Sequence, residues 1–458
     1  IALHRDASTP RLVADLDSRR LRIDELVQEN PQQSSIADQL EQPLEIGALT
    51  AFDLELKTRI RSLEGLARPV KDLTMNAVAN RRHLTLEPAR AIVDGAELDA
   101  QITLPWGERL ASGAGGVTSL RQLVAQADIA MQVQSPPGRL RHDMLFMGHV
   151  KELEIAAFSA AVAAGDRPQI RANGRVDDAA VQINLQSEPL AEVLGHPDGP
   201  WHELAVEILG SEMQLQASGS VAHPLEGRGF DIRYSVRGER IESVLPIFDF
   251  VLPLEGAYSL TGHFADQPER RVFDKLQIIT GNSDISGDIS IYQGKLRPRV
   301  VANFQSRQIY LTELLPVSDT EPAAGAKPRV IPDYNLPVER FRDIDGEMHF
   351  SADRLRTEAG ELGEINFTAT LKDGVFRLDP FSVSGWAGAR VESTMSIDAS
   401  REPPGIDWQW IARELNYGVL LQQAGLAETV EGTLDVSLRL AGEGRTRHEF
   451  LGNADGQL

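Results

Sequence analysis

Apolar and polar residues alternate along most of the chain with the two-residue period of a β-strand. In the segment that begins at Val300, the side chains of Val300, Ala302 and Phe304 fall on one face and their neighbours fall on the other. The same period recurs along the whole chain, and the opposite face is charged, as expected for an antiparallel sheet that is covered on one side only. It assigns to the apolar face Phe52, Leu54, Leu56, Ile60, Phe230, Ile232, Tyr234, Ile285, Ile289, Ile291, Phe304, Phe367, Phe376, Leu378, Leu434, Val436 and Leu438.

Segments with helical periodicity are scarce and short. They are predicted at 119–127, 191–194, 242–250, 417–424 and 445–451. Such helices are too small to cover an apolar face that recurs along the whole chain. A closed sandwich or barrel usually ends within about 250 residues, so the length and the repeated pattern favour stacking over closure. The predicted fold is mainly β: an elongated, curved, antiparallel sheet of repeated strand units that forms an open hydrophobic groove, with a few short helices.

The apolar stripes would also fit the dry core of an ordinary β protein. The extent of the stripes and the lack of cover are what favour a groove. A position at the groove edge and ordinary core packing stay equally open for Trp106, Trp201, Trp386, Trp408 and Trp410.

A stretch near the start of the chain is repeated near residue 300. Residues 10–27 and 298–316 are identical at Pro10/Pro298, Arg11/Arg299, Val13/Val301, Ala14/Ala302, Ser18/Ser306, Arg19/Arg307, Glu25/Glu313 and Leu26/Leu314. Each copy predicts a strand, a polar turn and a short helical turn, and the same order is predicted at 179–195 and 230–246. Polar segments at 28–42 and 317–327 follow the outer copies and are predicted to be surface loops. Beyond them, a second register matches the hairpin that ends at Pro88 with the one that ends at Pro380.

The composition excludes several classes of partner and site. The 458 residues carry a net charge of -21 at pH 7, which repels nucleic acid and the surface of an anionic bilayer. The chain has no cysteine, so disulfides, zinc–thiolate sites and cysteine nucleophiles are excluded. The longest apolar run, Ile155–Gly165, is too short to span a membrane. We therefore expect a fragment of a longer protein, with any membrane anchor outside this sequence.

No arrangement of residues predicts a catalytic or metal site. His202 and Glu203 lack the second histidine that a zinc-protease motif requires. The segment 343–346 resembles the start of a calcium loop, but Arg354 occupies the position of the bidentate glutamate. The glycines at 113–116 are not followed by the lysine of a phosphate loop, and no GxSxG motif is present. We predict no enzymatic activity, catalytic residue, metal or cofactor.

Several segments resemble the AsmA family of Gram-negative bacteria. They are the hairpin that ends in Leu378-Asp379-Pro380, echoed by Leu86-Glu87-Pro88, and the segments 252–264, 297–316 and 432–444. Each is mostly apolar alternation with glycine, so their order and spacing over nearly the whole chain carry the resemblance. It implies the end of one repeat unit at 1–27, a polar loop at 28–43, an AsmA-like β-groove module at 44–316, a second polar loop at 317–335 and the start of a second module at 336–458.

The resemblance implies a non-enzymatic lipid conduit in the periplasm, anchored to the inner membrane in the full-length protein. Its β-groove would move phospholipid between the inner and outer membranes and so support outer-membrane biogenesis. The implied partners are phospholipids, both membranes and outer-membrane assembly proteins, and nucleic acid is not among them. Burying a sixteen-carbon acyl chain gains about 12 kcal/mol at ~0.8 kcal/mol per CH₂, so an apolar groove would remove most of the barrier to lipid transfer.

Two alternatives belong to other classes. A scaffold or modulator of outer-membrane protein assembly would offer its sheet edge to client strands. An extracellular glycan-active β-solenoid enzyme would need a carboxylate pair, which the many alternating acidic residues do not single out.

Overall fold

The structure, a computed structural model, describes residues 2–4, 10–22, 43–45, 53–65, 70–105, 117–134, 139–142, 151–163, 165–176, 179–195, 199–210, 212–240, 256–294, 296–314, 340–357, 360–423, 430–445 and 447–457. Phe52, the predicted helix at 242–250 and the predicted polar loops at 28–42 and 317–327 lie outside these ranges. Within them, no helix has both the length and the apolar character needed to cross a bilayer.

The described residues are mainly in β-strands, as predicted. The strands are β1 Ala2–His4, β2 Arg11–Ser18, β3 Leu21–Arg22, β4 Pro43–Glu45, β5 Asp53–Glu64, β6 Val70–Ala79, β7 His83–Val93, β8 Ala96–Pro105, β9 Val117–Ser119, β10 Asp128–Gln134, β11 Arg139–His142, β12 Lys151–Val162, β13 Gln169–Val176, β14 Ala179–Gln186, β15 Trp201–Leu209, β16 Met213–His223, β17 Arg228–Gly238, β18 Tyr258–Asp266, β19 Arg270–Thr280, β20 Ser283–Tyr292, β21 Arg299–Ser306, β22 Ile309–Tyr310, β23 Asp345–Ala352, β24 Leu355–Thr357, β25 Gly360–Leu362, β26 Ile365–Lys372, β27 Val375–Trp386, β28 Ala389–Asp398, β29 Gly405–Asn416, β30 Thr433–Glu443 and β31 Asp455–Gln457.

Short helices interrupt the strands close to the predicted positions. The α-helices are Leu120–Val124, Leu190–Gly195, Leu311–Leu314, Tyr417–Gln423 and Arg447–Asn453, and 3₁₀ turns occupy Pro224–Glu226 and Arg340–Arg342. The helices predicted at 119–127, 191–194, 417–424 and 445–451 are therefore confirmed, with ends that differ by a few residues.

The chain divides into two compact units, and the boundary falls inside β17, after Ile232. In the first unit the main sheet has the strand order β1, β2, β5, β6, β7, β8, β10, β12, β13, β14, β15, β16. In the second unit the order is β18, β19, β20, β21, β23, β26, β27, β28, β29, β30, β31. No described pairing joins the last strand of a unit to its first, so each sheet is open, which confirms the predicted fold class.

Two parallel joints interrupt the otherwise antiparallel order of the described strands. β2 runs parallel to β5, with Arg11 opposite Asp53, and β21 runs parallel to β23, with Arg299 opposite Asp345. The short strands that follow repeat the arrangement, because β3 pairs with β5 and β22 pairs with β24, again in parallel. A parallel joint needs a long crossover, and the chain between the partners supplies it in both copies. The repeat at 10–27 and 298–316 is therefore one supersecondary unit used twice.

The hairpins after these joints also correspond. β5–β6–β7 in the first unit matches β23–β26–β27 in the second, with antiparallel registers throughout. The predicted turn at Asp373 and Gly374 has φ values of 53° and 80°, a geometry that Asp and Gly tolerate. The exits of the two hairpins carry equivalent bulges, one holding Pro88 and the other Pro380, and the peptide bond before each proline is cis.

The copy predicted at 179–195 has the same strand and helix but a different continuation. β14 is followed by the helix Leu190–Gly195, as predicted, and the next strand β15 returns antiparallel to β14. The chain therefore returns here as an antiparallel neighbour and not through a parallel crossover. In the copy predicted at 230–246 the strand is confirmed as β17, and its continuation lies outside the described residues.

Candidate functional site

The strand registers bring the predicted apolar residues onto one face of each sheet. In the first unit, Leu54 and Leu56 of β5 lie opposite Ala79 and Ala77 of β6, and Ile60 on the same face is buried. In the second unit the pairings carry this face from strand to strand across β18–β30. The described members of the predicted set are Leu54, Leu56, Ile60, Phe230, Ile232, Tyr234, Ile285, Ile289, Ile291, Phe304, Phe367, Phe376, Leu378, Leu434, Val436 and Leu438. We call this side of each sheet the apolar face.

An aromatic row runs across four neighbouring strands in the second unit. It consists of Phe304, Phe350, Phe367 and Phe381, each directly paired with the next on β21, β23, β26 and β27. The ring centroids of Phe350 and Phe367 are 5.1 Å apart, and those of Phe367 and Phe381 are 6.4 Å apart. Strands neighbour one another at about 4.8 Å, so this row runs perpendicular to the strands and along the sheet.

Two tryptophans continue the apolar face on β29. Trp410 follows Phe381 and Ser393 in the aromatic row, and Trp408 lies beside Met395 in the next row. The indole Nε1 of Trp408 donates a hydrogen bond to Ser393 Oγ at 2.9 Å, which satisfies its polar edge within an apolar surface. Both side chains belong to the apolar face itself. Trp201 begins β15, whereas Trp106 and the side chain of Trp386 fall outside what the structure describes.

Small clusters cover the apolar face at the two ends of the strands. At one end of the second unit, Phe450 of the helix Arg447–Asn453 packs with Ile397 and Ile406, and Phe341 stacks on Phe376 with a centroid distance of 5.4 Å. We call this end the Phe450 rim.

The opposite end of the strands has a cover of its own. Here Ile309 of β22 and Leu355 of β24 pack on Ala352, and further along, Val383, Val391 and Leu415 form a second buried cluster. We call this end the Ile309 rim.

The middle of the apolar face is more open than either rim. Val391 at one end and Ile397 at the other are 3% and 6% exposed, whereas Phe304, Phe367 and Leu438 in mid-strand are all half-buried. Small residues such as Ala302 and Ala369 are buried there only because larger neighbours flank them. From β21 to β30, the described apolar face is thus a strip of half-exposed apolar side chains, with small buried residues among them, between two covered rims.

The opposite face carries charged cross-strand pairs. Arg299 pairs with Glu347 at 3.5 Å, and the equivalent residues of the first copy, Arg11 and Glu55, also form an ion pair. The hydrogen bond from Arg11 lowers the pKa of the Glu55 carboxyl. Exposed pairs of this kind are screened by water and contribute little to stability. The charged side chains keep this face of the sheet in contact with water.

One charged pair lies on the apolar face, and sequence periodicity missed it. Arg271 Nε is 3.1 Å from Asp266 Oδ1, and the two side chains are only 8% and 9% exposed. One extra residue between Phe273 and Leu276 shifts the phase of β19 against both of its neighbours, β18 and β20. A two-residue period carried from Leu276 through β19 therefore assigns Arg271 to the wrong face. Asp266 keeps the phase of Tyr258 and Phe264, so the alternation within β18 places it on the apolar face.

The repeated glutamate also has a structural role that the pattern did not reveal. The carboxylate of Glu313 accepts hydrogen bonds from the backbone N–H of Ser283 at 2.9 Å and from Ser283 Oγ at 2.6 Å. It also accepts one from the backbone N–H of Asn282 at 3.0 Å. Gly281 leaves room for this carboxylate, because a Cβ there would lie 2.4 Å from Glu313 Oε1. Glu313 therefore anchors the helix Leu311–Leu314 to the turn between β19 and β20.

A tyrosine of the apolar face is packed against a glycine of its neighbour strand. A Cβ on Gly262 would lie 2.6 Å from Tyr234 Oη, and the Tyr234 ring meets Phe273 edge-on at 6.4 Å. Burial raises the pKa of the Tyr234 phenol above its ordinary value, and the nearby Asp274 carboxylate adds to the shift. This side chain is thus held neutral against the sheet.

These features define a mainly β protein whose open sheets each present one apolar and one charged face. The profile of the AsmA family matches residues 151–458, and the chain belongs to the AsmA family, as the sequence resemblance predicts. The AsmA family protein YhjG of Escherichia coli (strain K12) is 22% identical over 284 residues, a match that covers 57% of this chain and 41% of that protein. The chain thus spans less than half the length of this relative, and no solved structure matches it.

Proposed function

We propose that the chain is part of a non-enzymatic lipid conduit. It moves phospholipid between the inner and outer membranes along its apolar face and so supports outer-membrane biogenesis. In this proposal the full-length protein lies in the periplasm with an anchor in the inner membrane, and its partners are phospholipids, both membranes and outer-membrane assembly proteins.

The half-exposed strip in mid-strand is the observation that carries the proposal. In the second unit the row that contains the four phenylalanines extends from Phe304 on β21 to Leu438 on β30 without a charged side chain. These seven strands, at about 4.8 Å each, span roughly 30 Å. An apolar strip of this length, left partly open in the described residues, calls for an apolar occupant.

Acyl chains fit the strip for energetic reasons. Burial of each CH₂ group gains about 0.8 kcal/mol of transfer free energy. An acyl chain that lies along the strip therefore avoids most of the cost of exposure to water. Because the rows of apolar side chains run along the sheet, a lipid can move from strand to strand without crossing a polar barrier. A surface of this kind needs no catalytic residue.

Native mass spectrometry of the gently purified protein tests the proposal. We expect adducts with the mass of one or more phospholipids, which collisional activation releases. An empty protein that instead binds unfolded outer-membrane protein segments tightly would contradict the conduit and support the assembly scaffold.

A further inference from the structure

The row that is aromatic in the second unit consists of small and flexible side chains in the first unit. Arg11 opposite Asp53 matches Arg299 opposite Asp345, so the repeat aligns β5, β6 and β7 with β23, β26 and β27. In this alignment Thr58 stands where the second unit has Phe350, and cross-strand pairing continues its row as far as β12. The members of this row are Thr58, Met75, Ala89, Ala100, Met131 and Ala160. We call it the small-residue row.

Larger aliphatic side chains border the small-residue row on both sides. They are Leu56, Leu86, Ile102 and Ile129 on one side and Ile60, Leu73, Leu98 and Val133 on the other. Alanine and threonine are shorter than these neighbours, and the unbranched side chain of methionine changes its rotamer easily. The row is therefore a furrow along the sheet where the second unit has an aromatic ridge. Its six strands span roughly 25 Å, enough for a sixteen-carbon acyl chain.

The hydroxyl of Thr58 has no hydrogen-bond partner among the described residues, although the side chain is buried and only 5% exposed. The other buried serines and threonines in the described ranges each have a partner. These pairs are Ser187 with Glu188 O, Thr280 with Ala257 O, Ser283 with Glu313, Ser306 with the Gln308 N–H, and Ser393 with Gln409 O. A buried hydroxyl without a partner is unfavourable, and valine would fill the same space without it. Thr58 therefore calls for an acceptor that the described chain does not supply.

The surroundings of Thr58 favour an uncharged acceptor. The small-residue row contains no charged side chain, and the neighbouring Lys57 and Arg59 are exposed on the opposite face. A carboxylate at Thr58 would be buried without a counter-charge, whereas an ester carbonyl accepts a hydrogen bond and carries no charge. Leu16 and Met75 flank Thr58 on the adjacent strands, and a change of the Met75 rotamer gives a ligand access to the hydroxyl.

We propose that the small-residue row binds one acyl chain of an ester-linked phospholipid, and that Thr58 Oγ1 donates a hydrogen bond to the ester carbonyl of this chain. The chain then lies along the row from Thr58 toward β12. This inference rests on the proposed function and adds a chemical preference to it. The first unit prefers ester-linked over ether-linked lipids, and the second unit has no such preference at the matching position, because Phe350 carries no donor.

Photolabelling with two lipids that differ only in this linkage tests the inference. The probes are diester and diether phosphatidylglycerol with the same tails and a diazirine in mid-tail. Mass spectrometry quantifies labelled peptides from β6–β12 and from β26–β30 separately at subsaturating lipid. We expect the diester lipid to label the first unit about threefold to tenfold more than the diether lipid, and both lipids to label the second unit equally.

The variant Thr58→Val keeps the shape of the side chain and removes the donor. It should abolish the ester preference of the first unit, leave labelling of the second unit unchanged and unfold in urea at no lower concentration than the wild-type protein. A preference that survives this substitution, or equal labelling of the first unit by both lipids in the wild-type protein, would overturn the role of Thr58.

Filling the furrow provides a second test. Ala89→Phe copies Phe381 of the second unit and should lower labelling of the first unit by both lipids at least about fourfold, the effect of leaving one CH₂ group in water. The control is Val78→Phe, because Val78 is 44% exposed on the opposite face, and it should change nothing. Unchanged labelling in Ala89→Phe would overturn the small-residue row as the site.

Two further outcomes separate this inference from its alternatives. Displacement of the diester lipid from the first unit by palmitate at equal concentration would indicate a site for a free carboxylic acid and overturn the ester assignment. If neither lipid labels the apolar face of either unit, the proposed function itself fails.

Discussion

Phe350 and Phe367 lie directly opposite each other on β23 and β26, and their rings stack at 5.1 Å with an interplanar angle of 22°. β23 is also the strand of the second parallel joint, where Phe350 lies beside Phe304 of β21. The crossover that creates the joint therefore continues the apolar face without a change of register. An equivalent joint in the first unit aligns Leu12 with Leu54 and Ala14 with Leu56. The repeated unit adds a strand and keeps the face continuous.

A charge in the aromatic row should impair lipid binding more than folding. Phe367→Asp places a carboxylate on a half-buried position of the apolar face, where solvent reaches it in the empty protein but acyl chains surround it in the loaded one. We expect phospholipid binding to fall at least about tenfold, with a loss of about 1–2 kcal/mol in the free energy of unfolding. Lipid titration and urea unfolding measure the two effects.

The control for this substitution is Asn366→Asp, because Asn366 is the exposed neighbour on the opposite face. It should leave both lipid binding and stability nearly unchanged. An equal effect of the two substitutions on lipid binding would argue against a role for the apolar face.

Breaking the buried ion pair should destabilise the hairpin β18–β19. Asp266→Ala leaves Arg271 without its carboxylate in a site where the arginine is 6% exposed, and the expected cost is about 3–5 kcal/mol. Replacing both residues by leucine should recover most of that loss. Hydrogen exchange of the β18–β19 amides, followed by mass spectrometry, measures the change.

An exposed ion pair in the same unit provides the comparison. Arg439 and Asp407 are 2.7 Å apart with side chains 58% and 45% exposed, so Asp407→Ala should lower the free energy of unfolding far less than Asp266→Ala does. Similar losses for the buried and the exposed pair would contradict the assigned burial of Asp266 and Arg271.

Removal of the Glu313 carboxylate should release the turn between β19 and β20. Glu313→Ala takes away the acceptor of the Asn282 and Ser283 backbone N–H groups, and we expect a loss of about 1–3 kcal/mol. The amides of these two residues should exchange faster in the variant. The control Thr312→Ala, at the exposed neighbouring position, should leave the exchange of these amides unchanged. Equally faster exchange in both variants would contradict the anchoring role of Glu313.

The raised pKa of Tyr234 predicts a loss of stability at alkaline pH. In the unfolded chain a tyrosine phenol titrates near pH 10, whereas burial keeps the Tyr234 phenol protonated to higher pH in the folded protein. The folded state therefore holds the proton more tightly, and this contribution is complete below pH 10 and is lost as the pH rises through the folded pKa. As the pH rises from about 9 to 11, the free energy of unfolding should fall less for Tyr234→Phe than for the wild-type protein. Parallel pH profiles of the two proteins would contradict the raised pKa of Tyr234.

The sequence pattern predicted the faces of the strands well, because the two-residue alternation along a strand does not depend on which strand pairs with it. Leu434, Val436 and Leu438 illustrate this, since their face is the same whichever strand lies beside β30. Likewise, the turn at Asp373 and Gly374 is a local feature that depends on the φ preferences of the two residues.

Other features depend on which strands pair with each other, so the alternation along a single strand could not predict them. The repeat revealed that residues 10–27 and 298–316 are alike, but not that each leads into a parallel joint, because the partner strands lie beyond a long crossover. The bulge in β19 hid the pair of Asp266 and Arg271, because it shifts the phase of the alternation between Leu276 and Arg271. The lipid-lining role of the apolar residues stays a prediction, since an apolar surface does not by itself reveal its occupant.

The most direct test of the conduit is site-specific photocrosslinking in the full-length protein within cells. Benzoylphenylalanine is introduced in separate variants at Phe367 and Leu438 on the apolar face and at their exposed neighbours Asn366 and Ser437 on the charged face. The conduit predicts phospholipid adducts at Phe367 and Leu438 and none at Asn366 and Ser437. Equal lipid labelling of the two faces, or labelling at neither Phe367 nor Leu438, would contradict it.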